Sequence, residues 1–168
     1  MYNNTSAQQI LSAKNNPLKN ISLLNPFECI EYLVALENSN CASKETGWQP
    51  MHFYKSKRNK SAFINLYKKN NSHGEFVFDY SWANAFIRNG LSYYPKLVSA
   101  IPFTPCKSKK VFGDDEISNE LIDEIKKMMH DESINSWHIL FPVNEERKVF
   151  LKHDFIERSG YRLSLIHI

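Results

Sequence analysis

Apolar residues recur along this chain in two periods, and the period changes from segment to segment. Phe27, Ile30, Leu33 and Val34 follow at helical spacing after Asn25-Pro26, an Asn cap with proline at the first helical position and Glu28 placed to bond back. That helix stops at Asn38-Ser39-Asn40. Trp48 to Tyr54 and Ser61 to Tyr67 read as strands around a basic turn, Lys55 to Lys60. Lys68 to Gly74 reads as a polar loop and Glu75 to Asp79 as a third strand. Trp82 to Arg88 has helical spacing and ends at Asn89-Gly90. Leu97 to Phe103 is an apolar strand.

The strongest helix is Ser118 to His130, with Ile117, Leu121, Ile125 and Met128 on one face. Acidic residues crowd its start, and Lys126, Lys127 and His130 its end, as the helix dipole favours. Trp137 to Phe141 is a short continuous apolar run, the pattern of a buried strand. Asn144 to Lys152 reads as a helix and Phe155 onward as a strand. Strand, helix, strand, helix, strand requires crossovers, so the expected class is an α/β layered fold. Met1 to Asn20 reads as a flexible lead-in, with a short helix near Gln8 to Ala13.

Composition narrows the function classes. A chain of 168 residues, 42% apolar and 23% charged, suits one globular domain. A net charge of +3 makes no case for DNA or a membrane surface as main partner. Cys29, Cys41 and Cys106 are odd in number and widely spaced, which argues against a disulfide framework or a zinc knuckle and fits a reducing, cytoplasmic setting. The polar N-terminus is not a signal peptide, and no run reaches membrane-spanning length.

Several ordered stretches share a likeness: Asn25-Pro26-Phe27 with Ala35-Leu36-Glu37, Thr46-Gly47-Trp48-Gln49-Pro50, and Gly74-Glu75-Phe76-Val77-Phe78-Asp79-Tyr80-Ser81-Trp82-Ala83. Tyr93-Tyr94-Pro95-Lys96-Leu97 running to Ile101-Pro102-Phe103-Thr104-Pro105, and Trp137-His138-Ile139-Leu140-Phe141-Pro142, continue the series. Together they resemble the FemAB-like family of peptidoglycan biosynthesis/recognition proteins, in the GNAT acyltransferase superfamily, over about Ile21 to Arg162. The resemblance implies a GNAT-like mixed sheet flanked by helices, transfer of an acyl or aminoacyl group to an amine acceptor, and two related halves, of which this chain matches the first. It leaves the donor open between acyl-CoA (acetyl-CoA) and aminoacyl-tRNA, and names no metal.

The resemblance also points to sites. Leu97 to Phe103 would be the splayed strand that holds the pantetheine arm. Thr104 to Lys110 would be the phosphate loop, so Phe103, Thr104, Lys107, Ser108, Lys109 and Lys110 are the cofactor-binding candidates. Ser108 stands where the family has glycine, and Lys110 where it has arginine; the other reading is a solvated basic turn. Glu75 and Asp79, on one strand face with Val77, are candidates for base and amine anchor, or else ion-pair partners of lysines. Tyr94, with Tyr93 beside it, is the candidate proton donor or a core aromatic. His73 reads as a loop residue, His138 as a core histidine, and Cys106 has no base beside it in sequence.

The codons CTG TCT CTT ATA CAC ATC encode Leu163 to Ile168 and resemble the end of a transposon used for sequencing libraries. The expectation is a domain over 21–162, a non-native tail over 163–168, and a missing second half that leaves this fragment inactive. The competing expectation is a non-catalytic recognition or scaffold domain. A third, a nucleic-acid binder, rests on the lysine-rich turns alone.

Overall fold

The computed structural model describes residues 4–18, 25–77 and 79–159. Ile21 to Leu24, Phe78 within the family signature, and the tail 163–168 lie outside the described residues.

The framework is a long hairpin. One arm is β2 (Gln49–Pro50) and β3 (His52–Lys57); the other is β4 (Lys60–Ile64) and β5 (Tyr67–Lys69). The sequence marks the second arm as a single strand, Ser61 to Tyr67, and its alternation is indeed unbroken. Ala62, Ile64 and Leu66 face one apolar cluster, while Phe63 and Tyr67 face the opposite side. What changes is the neighbour. β4 pairs with β7 (Val111–Gly113), and β5 pairs with β6 (Lys96–Ser99), both antiparallel. The expected single mixed sheet is therefore two four-stranded sheets, ordered β1-β3-β4-β7 and β2-β5-β6-β8, with β1 at Asn4–Thr5 and β8 at Trp137–Ile139. β6 and β8 run parallel, as a crossover requires.

Asn65 sits at the fork. Its amide donates to Lys110 O, its side chain donates to Ala100 O, and its own carbonyl accepts from Ser99 Oγ. It thus pins both ends of the excursion from Ala100 to Lys110, where the chain leaves one sheet and returns to the other. Gly113 closes the join: its φ is +110°, and a Cβ there would meet Ser61 O at 2.1 Å.

Two helices cover one face. α4 (Asp115–Asp131) is capped by Asp114, which accepts from the amides of Glu116 and Ile117. Its Ile117, Leu121, Ile122, Ile125 and Met128 pack with Phe53, Ile64, Leu97 and Val111, and with Phe150 of α5 (Asn144–Lys152). Burial of each such side chain contributes about 1.5–3 kcal/mol. The other face takes α1 (Ala7–Leu11) and α2 (Ile30–Asn38) against Phe63 and Phe112. α3 (Tyr80–Arg88) belongs to neither packing: only Ala83 is buried in it.

The structure shifts several expected elements. Of the expected strand Glu75 to Asp79, the described residues Glu75 to Val77 and Asp79 are not in a strand; Glu75 lies in a bend after Gly74, and Phe76 takes φ +58°. Lys68 and Lys69, expected in a loop, are in β5. The basic turn shrinks to Arg58-Asn59, because β3 runs on through Lys57. β6 ends at Ser99 rather than Phe103, and β8 at Ile139 rather than Phe141. Beyond Phe155, residues up to 159 form no strand; Phe155 packs on Trp137 and Phe150 instead. Asn25 caps a 3₁₀ turn, Pro26–Glu28, and the α-helix proper begins at Ile30.

Candidate functional site

Two buried constellations occupy the positions where the sequence places acceptor chemistry and donor binding. In each, the protein supplies its own counter-group.

The first lies at the start of β6. Lys96 has no exposed surface, and neither has Lys69 beside it on β5. The sheet register places these two residues opposite each other. Lys96 Nζ donates to Ser72 Oγ at 2.8 Å, to Glu75 Oε2 at 2.9 Å and to Asp79 Oδ2. Lys69 Nζ donates to His73 O at 3.0 Å, stands 3.8 Å from Glu75 Oε1, and lies 3.6 Å over the Trp48 ring. Tyr93 Oη donates to Asp79 Oδ2 at 2.6 Å and is 3.5 Å from His138 Nε2; Tyr94 Oη and Ser72 Oγ are 2.7 Å apart.

Burial governs the titration of this cluster. It pushes Glu75 up, against the pull of Lys96 and Lys69. It also pushes Asp79 up, but hydrogen bonds from Lys96, Tyr93 and Ser72 outweigh it and leave Asp79 below the usual range. Lys69 is pushed down to about 8 by burial. His138 is pushed down to about 4, first by burial and then by the Lys96 charge. His138 is therefore neutral at pH 7. Its folded pKa lies below the ordinary 6.5, so the unfolded chain takes up the proton first. Stability from this group is present above pH 6.5 and is lost as pH falls toward 4, by about 3 kcal/mol. Glu75 acts in the opposite sense over the acid range. Urea titrations at pH 7 and pH 4.5 should show the loss in the parent and a smaller one in His138→Gln.

Glu75 Oε1 and Asp79 Oδ1 are buried without a hydrogen-bond partner. With His138, these carboxylates form the one group among the described residues that could gather round a metal, their ligand atoms within 4.8 Å of one another. Lys96 already stands between the two carboxylates, so an incoming cation would have to displace it. Two ammonium groups balance two carboxylates here, and a further buried charge would be unpaired.

The second constellation is the expected phosphate loop. A phosphate cradle needs free backbone N–H groups. Here six of the backbone amides from Thr104 to Val111 are taken. Thr104 N donates to Ile101 O, Cys106 N to Thr104 O, and Ser108 N to Phe141 O. Lys109 N donates to Glu28 Oε1 at 2.7 Å. Lys110 N and Val111 N both donate to Glu146 Oε1, at 2.6 and 2.7 Å. Lys110, expected to meet phosphate, is fully buried; its Nζ donates to Ser108 O and to Ser108 Oγ, and burial lowers it to about 8. Ser108 is buried too. Phe103, at φ +56°, packs its ring on Trp48 rather than extending a strand, and Thr104 Oγ1 donates to Pro102 O. Lys107 and Lys109 alone of the basic run are exposed. The helix that follows opens on Asp114, Asp115 and Glu116, which repel an anion.

The other lysine-rich turn meets carboxylates. Lys55, Lys57 and Lys60 pair with Asp114, Glu116, Glu120 and Glu124, mostly along one side of α4.

A sequence model of the family described as FemAB-like, peptidoglycan biosynthesis/recognition, matches residues 6–166. The chain belongs to the FemAB-like family. Neither the curated proteins nor the solved structures yield a match. Membership places this FemAB-like protein in peptidoglycan biosynthesis or recognition, with group transfer as the associated class of activity. No described helix is long and apolar enough to cross a membrane.

The sequence named Glu75, Asp79 and Tyr94 but missed Lys96, Lys69, Glu146 and Asn65. Lys96 carried a signal: a lysine at a pleat position shared with Val98, inside an apolar run. Glu146 carried none, because an acidic residue in the first turn of a helix is ordinary.

Proposed function

We propose that this FemAB-like protein serves the transfer of an acyl or aminoacyl group to an amine, and that this domain's share is recognition and support rather than bond making. One observation carries the reading: both places where such chemistry would sit are filled from within. Lys96 stands between Glu75 and Asp79, where an acceptor ammonium would be held. Glu28 and Glu146 take the loop amides that a donor's phosphates would need. A general base must reach its proton, and a buried, ion-paired carboxylate does not.

Exposed Lys107 and Lys109 favour the second reading, in which the loop still meets the phosphates of an acyl-CoA or the backbone of an aminoacyl-tRNA. Calorimetric titration with acetyl-CoA and, separately, with a charged tRNA discriminates. The proposal expects no saturable binding of acetyl-CoA. Saturable binding that disappears in a Lys107→Ala/Lys109→Ala variant would sink it in favour of catalysis by this domain.

A further inference from the structure

We infer that the stretch from Asp79 to Ser92, with α3 at its centre, is an arm that opens as a unit and is latched shut by Lys96. The inference stands whether or not this domain takes part in transfer.

The arm is poorly held by packing. Ala83 is the one buried residue of α3, and it lies outside all three apolar clusters of the core. The apolar side chains of this stretch are turned out instead: Tyr80 is 58% exposed, Trp82 55%, Ile87 68% and Leu91 55%. A helix of nine residues has little stability of its own, so most of what holds it must come from tertiary contacts. Those contacts are few. Phe86 meets the Tyr93 ring edge-on at 5.2 Å, and the Arg158 guanidinium lies 5.6 Å over Trp82. Asn135 Nδ2 donates to Ser92 O. β5 ends at Lys69 and β6 begins at Lys96, so no ladder pairing involves the arm.

What fastens it is polar and local. Asp79, at the arm's first residue, accepts from Lys96 Nζ and from Tyr93 Oη through the same oxygen. Lys96 and Tyr93 are buried, and Lys96 is rooted in a central strand. Gly90, just after α3, takes φ +68° with open space around it. A segment held by a few directed bonds, with little buried apolar area, opens at lower free energy than the core. Its opening uncovers Tyr93, and behind it Lys96 and His138.

Hydrogen exchange read by mass spectrometry, with the whole chain at rising sub-denaturing urea, tests this. The expected result is that amides of α3 exchange faster than those of β6 and α4, with almost no urea dependence, the mark of a local opening. Asp79→Asn and Tyr93→Phe each weaken the latch. Each is expected to speed α3 exchange by roughly tenfold or more, with the urea dependence of α3 still near zero. If α3 exchanges in the parent protein at the rate and urea slope of α4, the arm does not open separately and the inference is overturned. The parent measurement decides even if a variant fails to fold.

Discussion

Lys96→Met is expected to lower folding stability by about 3–5 kcal/mol, the usual cost of leaving buried charge without its partner. Methionine matches the length of the lysine stem, so the loss does not come from a cavity. It comes from Glu75 and Asp79, which are 2% and 3% exposed and would face each other without the ammonium that now bonds both. Lys69, 3.8 Å from Glu75, is too far to take over as a hydrogen-bond donor. Opening of the arm relieves Asp79 alone, because Glu75 lies outside it. The triple variant Lys96→Met/Glu75→Gln/Asp79→Asn removes the charges together and should recover most of the loss. Urea denaturation of the parent, the single variant and the triple variant checks this. A single variant within about 1 kcal/mol of the parent would show that the carboxylates are hydrated or protonated in the folded state.

Glu146→Ala should cost about 3 kcal/mol, from two buried donors each left unsatisfied at about 1–3 kcal/mol. Its Oε1 receives the amides of Lys110 and Val111, the residues where the chain rejoins β7 after the excursion from Ala100. Loss of that acceptor loosens the return of the chain at the fork. Glu146→Gln keeps an acceptor oxygen and should cost only about 1 kcal/mol. The contrast separates the hydrogen bonds from the charge: equal losses in the two variants would mean that the carboxylate charge near Lys110 matters more than the two amides.

Neither Lys96 nor Glu146 was singled out by the sequence, which was sufficient elsewhere. α4 was legible because its caps and its apolar face are local, set by residues within a few positions of one another. The hairpin was legible because alternation marks the faces of a strand, as it does from Ala62 to Tyr67. Several ordered motifs pointed to the FemAB-like family, and the match over residues 6–166 shows it. The carboxylates were named as candidates because a strand reading puts Glu75 and Asp79 on one face; they do meet, but around Lys96 and not on a strand.

The sequence by itself determined the mixed α/β character, the main helices and the family, because each is written in short-range periodicity or in ordered motifs. The tertiary structure decided what those residues face. Whether Glu75 and Asp79 share a strand face or a turn depends on Gly74 and Phe76 taking positive φ. That Lys96 lies between them depends on β6 pairing with β5 and not with β4. That the expected phosphate loop is closed depends on Glu28, 81 residues before Lys109, and Glu146, 36 residues after Lys110. Alternation along a strand specifies its faces but not its neighbour, and a charge shows no partner until the fold brings one to it. Both sites turn on pairings of that kind, which is why they became visible only in three dimensions.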